Sequence, residues 1–254
     1  MWSVWSESVN IYLGTTIAMV EGRGVPKQVI EFPPTWPMAQ VLESVARCWK
    51  AMGTADSSKG GKTPKRHNLH LTLSGARCRA DAFPVPQGVR RFHELQAYFA
   101  GMLGGAVNAD SGGDRAGEGA RSVIGFDAGN VGVVASVDGV LLEQLNAWAK
   151  GKAAAIRTLR PLWSVATECG RAKQAQIRAL VLQELDGNTL LTDAGDAQHL
   201  AFDAGPESST IAIRQWKIAN DLADHEVLTL RFGRSQGTVS KGFPNAWAAH
   251  WRTM

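Results

Sequence analysis

Few residues in this 254-residue chain have types and spacing that could do chemistry. Ser58-Lys59-Gly60-Gly61-Lys62-Thr63 brushes the phosphate-loop pattern, in which backbone amides and a lysine cradle phosphates. The place of its first glycine is Asp56, and no strand leads in and no helix leads out, so a solvated loop is the expected reading. His67 and His70 stand three apart where a strand begins, which turns their side chains to opposite faces and away from a shared metal. Asp193 and Asp196 pair two carboxylates, the raw material of acid–base work, but in a hairpin such residues serve the turn. Neither a GxSxG elbow nor an HExxH pair occurs. Cys48, Cys78 and Cys169 are an odd count without CxxC spacing, which argues for buried thiols in a reducing compartment rather than disulfides or a thiolate metal site. On these grounds neither a catalytic residue nor a metal is expected.

Charge narrows the classes further. With 27 basic and 23 acidic residues the net charge is +4, a mild excess spread along the chain. That argues against nucleic acid as a partner and leaves the basic loop Lys59 to Arg66 as the feature of a rival, anion-binding reading. The first basic residue is Arg23, and Ser6, Glu7 and Asn10 interrupt the opening segment, so a secretory signal is not expected and the cytoplasm is. No segment approaches the ~18 to 20 apolar residues of a membrane span, so a membrane would be met only through partners. Most of the nine tryptophans are expected to pack in the core.

The elements that would position any site follow from periodicity. Val9, Ile11 and Leu13 alternate with Asn10 and Tyr12 until Gly14 breaks the strand; Thr16 to Glu21 and Lys27 to Phe32 continue a meander that Pro33 and Pro34 end. A helix follows from an N-cap at Thr35, with Met38, Val41, Leu42, Val45, Trp49 and Met52 on one face. Residues 53–66 have the composition of a mobile loop, as do 104–119. Between them lie strand Asn68 to Ser74, with Leu69, Leu71 and Leu73 inward, and helix Gly88 to Leu103. Strand Val131 to Val137, helix Gly139 to Lys150 capped by Asp138, and strand Ala155 to Leu159 come next, then a helical connection near Trp163 to Cys169. A second meander spans Ile177 to Leu185, Thr189 to Asp193 and Gln198 to Phe202, its first turn built on Asp186-Gly187-Asn188. Helix Glu207 to Ala223 and strand Glu226 to Phe232 complete the pattern. A βββα unit thus occurs twice in an α/β chain, with lobes expected at residues 1–170 and 171–254.

Ile11 to Gly22, read as IYLGTTIAMVEG, resembles the first phosphate hairpin of the actin-like ATPases, in which an Asp-x-Gly-Thr-Thr turn lays amides and hydroxyls on a nucleotide's phosphates. Gly14, Thr15 and Thr16 match that turn and form the candidate, degenerate cofactor site. The Asp position is Tyr12, and a phenol cannot replace a carboxylate as a magnesium-water anchor. The second phosphate hairpin would fall in Ala179 to Leu191, with its Asp near Gln183 and its Gly near Leu185, so it too is degenerate.

In layout, Phe83 to Gly104 and Val133 to Trp163 resemble the branch that contains the cytoplasmic part of the type II secretion L protein and the type IV pilus M protein. The resemblance covers residues 8 to 205 in order of elements. It implies a two-lobed actin-like, or ribonuclease-H-like, fold and a non-enzymatic scaffold without a cofactor. Such a scaffold is recruited to the inner membrane, where it joins an assembly ATPase to membrane proteins of a secretion or pilus platform. The rival reading is an active ATP-binding protein with magnesium, in which Asp127, Asp193 or Glu184 replaces the missing acids. Trp2 and Trp5, spaced by three ahead of the first strand, suit neither face of a strand and are the expected partner-binding residues, beside a sheet edge open to an extended peptide.

Overall fold

A computed structural model describes residues 7–22, 25–54, 67–84, 131–171, 177–192, 197–201, 205–233 and 251–253, with Glu94, Ala97, Tyr98 and Gly101 between them. Strand β1 (Glu7–Leu13) turns at Gly14 into β2 (Ile17–Gly22), which leads to β3 (Val25–Glu31). Helix α1 (Met38–Thr54) then crosses over to β4 (His67–Leu73), which lies parallel to β1. Strand β7 (Ala154–Pro161) adds in parallel to β4, so the first sheet runs β3-β2-β1-β4-β7.

Period-2 alternation sends the two faces of β1 into different cores. Val9, Ile11 and Leu13 join Leu69, Leu71 and Leu73 of β4 under α1 and helix α2 (Gly139–Gly151), where Val41, Leu42, Val45, Leu145 and Trp148 meet them. Trp49 bridges that layer, edge-on to both Trp148 and the His67 ring. Asp138 caps α2 by accepting from the Val140 and Leu141 amides, which satisfies two of the backbone donors a helix start leaves open.

The opposite face of the sheet presents Tyr12, Ile17 and Met19 to helix α3 (Leu162–Arg171). Leu162, Trp163, Val165 and Ala166 of α3 are buried there, together with Leu180, Leu182, Leu191, Leu230 and Phe232 of a second sheet. That sheet is built from β8 (Ala179–Gln183), β9 (Gly187–Thr192), β10 (Ala197–Ala201), β11 (Val227–Phe232) and β12 (Trp251–Thr253), in the order β10-β9-β8-β11-β12. It too begins as an antiparallel meander and gains a parallel strand, β11 beside β8, after helix α4 (Gly205–Ala219). Trp216 of α4 packs on Ala179, Val181 and Leu190.

Two strands were absent from the sequence reading. Arg79–Pro84 (β5), whose small alanines hide its alternation, forms a separate antiparallel ribbon with Val131–Ser136 (β6). Trp251–Thr253 pairs with β11 in a tail that carries too little pattern to be read as a strand. Trp2, Trp5, Asp127, Asp193, Asp196, the basic stretch 59–66 and the stretch 104–119 lie outside the described residues, as does most of the expected helix 88–103.

Candidate functional site

The parallel register of β1 and β4 sets Leu13 opposite Leu73, so the chain leaves both strands at the same sheet edge. Carboxyl ends of parallel strands are where α/β folds build their sites. Two turns therefore lie side by side: Gly14-Thr15-Thr16 after β1, closed by the Gly14 amide on the Ile17 carbonyl at 2.8 Å, and a short 3-10 turn, Gly75–Arg77, after β4. The Ser74 amide donates to the Leu13 carbonyl at 2.9 Å and ties one turn to the other.

Into this edge the β8–β9 hairpin of the second sheet inserts two acids. Asp186 Oδ2 accepts from the Thr15 amide at 2.7 Å and the Thr15 hydroxyl at 3.0 Å, while Oδ1 accepts from the Ser74 hydroxyl at 2.9 Å and the Tyr12 phenol at 3.1 Å. Arg77 donates from Nε and Nη2 to the Gly14 carbonyl, both at 3.1 Å, and its positive charge interacts with Asp186. Burial lowers the Arg77 guanidinium below its ordinary value, and the attraction of Asp186 opposes that shift.

Glu184 sits one layer deeper. The Gly75 amide donates to both its oxygens at 3.1 Å, the Thr189 hydroxyl donates to Oε1, and the Tyr12 phenol lies 3.3 Å from Oε2. Burial, followed by the charge of Asp186, pushes the Glu184 carboxyl up to about 8, against the hydrogen bonds from Thr189, Gly75 and Ser74. The same causes, burial first and then the charges of Glu184 and Asp186, raise Tyr12 well above its ordinary value, so its phenol stays protonated.

A phenol has one proton and faces two carboxylates, and a proton held by Glu184 lets both contacts be made. A protonated Glu184 donates from Oε2 to the Tyr12 oxygen, and Tyr12 donates to Asp186. With the Thr189 hydroxyl committed to Glu184, the neighbouring His199 Nδ1, 2.9 Å from Thr189 Oγ1, is the donor there. Burial lowers His199 below its usual value and keeps the ring neutral.

Glycine is required where these groups crowd. A Cβ on Gly14 would lie 2.8 Å from Asp186 Oδ2, and one on Gly75 would lie 2.0 Å from Thr189 Oγ1. Tyr12 is 0 % exposed, and its ring packs against Phe232 at 5.0 Å, a contact between the two sheets.

Of the residues singled out in the sequence, Gly14 and Thr15 are in this site. Thr16 instead holds β3, its carbonyl accepting from the Phe32 amide at 2.9 Å. Glu184, named as a substitute metal acid, hydrogen-bonds protein groups. His67 and His70 stay apart: the first meets Trp49, and the second pairs with Thr158 at 3.0 Å. Asp186, Ser74, Arg77, Thr189 and His199 were missed. One signal was available: two acids in the apolar run VLQELDGNTLL, which burial forces to find partners.

The Thr15 amide and hydroxyl are taken by Asp186, and Tyr12, two residues before Gly14, is a buried aromatic ring. Among the described residues no three His, Cys, Asp or Glu side chains form a metal-binding group.

No family model matches the sequence, and no curated protein matches it. Solved structures do resemble this one. The cytoplasmic domain of EpsL, an inner membrane component of the type II secretion system of Vibrio cholerae, aligns with 94% of this chain and 87% of its own at TM-score 0.50 and 11% identity. A PilM-PilN type IV pilus biogenesis complex aligns at TM-score 0.52 and 11% identity, over 85% of this chain and 66% of that one. The α/β fold with two five-stranded sheets is shared with these structures. A Bacteroides thetaiotaomicron protein described as having an actin-like ATPase fold and unknown function also aligns, at TM-score 0.48 and 11% identity, over 88% of this chain and 81% of its own.

Proposed function

We propose that this chain is a non-enzymatic, cytoplasmic scaffold of an inner-membrane assembly platform of the type II secretion or type IV pilus kind, docking an assembly ATPase and membrane proteins rather than turning over nucleotide. The observation that carries the non-enzymatic half is Tyr12. At the position where the actin-like turn needs an acid for its metal, this chain has a fully buried phenol held between the Glu184 and Asp186 carboxylates. Hydrolysis would require a carboxylate there to hold magnesium and its waters. The platform half is supported by the fold shared with EpsL and with the PilM-PilN complex. Among the described residues no helix is long and apolar enough to cross a membrane, which agrees with membrane contact through partners.

Titration with magnesium-ATP in a calorimeter, followed by a phosphate-release assay, tests the first half. The expected result is no saturable heat and no release. Saturable, magnesium-dependent binding would favour the rival ATP-binding reading instead. Affinity purification of the full chain from its own cells, after crosslinking, tests the second half. Recovery of a secretion or pilus ATPase and inner-membrane proteins is expected, and their consistent absence would refute the platform.

A further inference from the structure

Both donors of Thr15 are engaged by a single side chain, and two neighbouring hydroxyls join them. The Thr15 amide, the Thr15 hydroxyl, the Ser74 hydroxyl and the Tyr12 phenol converge on the two oxygens of Asp186. These donors come from the edge of the first sheet, and the acceptor comes from a hairpin of the second, 112 to 174 residues away in sequence. Donors fixed on rigid strand ends around one anion make a built oxyanion site. The donors of Thr15 are in place, and the chain itself supplies their ligand.

We infer that this turn is a working carboxylate-binding cage whose ligand is supplied in cis by Asp186, and that the tethered anion latches the two sheets together. Three features fit a seated ligand better than an incidental contact. Gly14 leaves the space the carboxylate needs, since a Cβ there would stand 2.8 Å from Oδ2. Arg77 grips the Gly14 carbonyl and supplies a cationic charge felt by Asp186 and Tyr12. Ser74 has a double role: its hydroxyl donates to Asp186 and accepts from the Ala76 amide at 3.2 Å, so the 3-10 turn orients the hydroxyl that orients the ligand. The latch deepens the scaffold reading by giving the donors of Thr15 a ligand within the chain, and it stands on the hydrogen bonds to Asp186 alone.

A cage of this kind should accept the same chemistry in trans once its tether is cut. Asp186→Ala removes the carboxylate and leaves a hole the size of a formate ion inside four donors. The test is thermal melting of full-length Asp186→Ala in sodium formate and in sodium chloride of equal ionic strength, beside the wild type. A saturable, formate-specific rise of Tm in the variant and none in the wild type is expected, because a ligand that binds only the folded state stabilises it by mass action. A folded variant that responds alike to formate and chloride, or a wild type that responds as strongly, overturns the inference.

Should Asp186→Ala fail to fold in chloride, refolding in formate decides: soluble protein recovered only with formate supports the cage. Recovery in neither passes the decision to Asp186→Asn, which keeps the shape but places an amide group before the Thr15 donors. Exchange of the Thr15 amide hydrogen should then be roughly tenfold or more faster than in wild type, as befits the loss of a hydrogen bond to a charged group. Equal rates refute the latch. The formate arms contain no nucleotide, so their failure leaves the scaffold proposal standing, whereas magnesium-ATP binding by the wild type would sink that proposal and not the cage.

Discussion

Replacing Glu184 by Gln should make the protein more stable in alkali and no less stable in mild acid. Folding lifts this carboxyl from 4.5 to about 8, because it is buried, fully lined by protein groups and close to Asp186. The folded state therefore keeps a proton that the unfolded state releases above its own lower value. A raised pKa contributes stability that is whole below the unfolded value and is lost as pH rises toward the folded one. Each pH unit in that interval removes at most about 1.4 kcal/mol, so the interval from 4.5 to about 8 accounts for at most about 5 kcal/mol. Coupling to Asp186 makes several kcal/mol the sound expectation.

Glutamine copies the protonated acid. Its carbonyl oxygen can accept from the Gly75 amide and the Thr189 hydroxyl, and its amide group can donate to the Tyr12 oxygen. Urea unfolding of wild type and Glu184→Gln, followed by tryptophan fluorescence at intervals from pH 5 to pH 9, gives the two stability curves. Other titrating groups, among them His199, Cys78 and Tyr12, are common to both proteins and largely cancel in the difference. The curves should meet near pH 5 and separate progressively above pH 6, with the variant higher by several kcal/mol at pH 9. A difference independent of pH, or a variant weaker than wild type at pH 9, would show that Glu184 does not hold the shared proton.

Gly14→Ala should destabilise the fold by about 1 to 3 kcal/mol, because its methyl would displace the Asp186 carboxylate and strand buried donors; denaturant midpoints measure this, and an unchanged midpoint would contradict the close approach. Asp138→Ala should cost about 1 kcal/mol through loss of the α2 cap, read as a lower midpoint that Asp138→Ser or Asp138→Asn restores; no change would mean that the cap bonds are not made in solution.

The local elements were legible because their signals repeat within a few residues. Alternation in Val9, Ile11 and Leu13, the three-and-four spacing of Val41, Leu42, Val45 and Trp49, the Asp138 cap and the Asp186-Gly187 turn each rest on short-range sterics and hydrogen bonding. Arg79–Pro84 was missed because alanines at two of its six positions leave no hydrophobic period to count, and its partner β6 lies 47 or more residues further along the chain. The site was half legible. The Gly-Thr-Thr turn is a local motif, and the departure at Tyr12 could be read from it directly, but the motif does not say what would fill it.

The sequence by itself therefore determined an α/β chain with two antiparallel meanders, the helices that cover them, and a Gly-Thr-Thr turn with a tyrosine two residues before it. Only the tertiary structure decided what that tyrosine does. Its phenol meets Glu184 and Asp186 across 172 and 174 residues of chain, and no period or spacing encodes contacts at that separation. They arise because two sheets share the core around Trp163 and Phe232, which brings the end of β1 and the β8–β9 hairpin to one place. Desolvation at that place then pushes the Glu184 carboxyl up, and the Asp186 carboxyl receives the donors of Thr15.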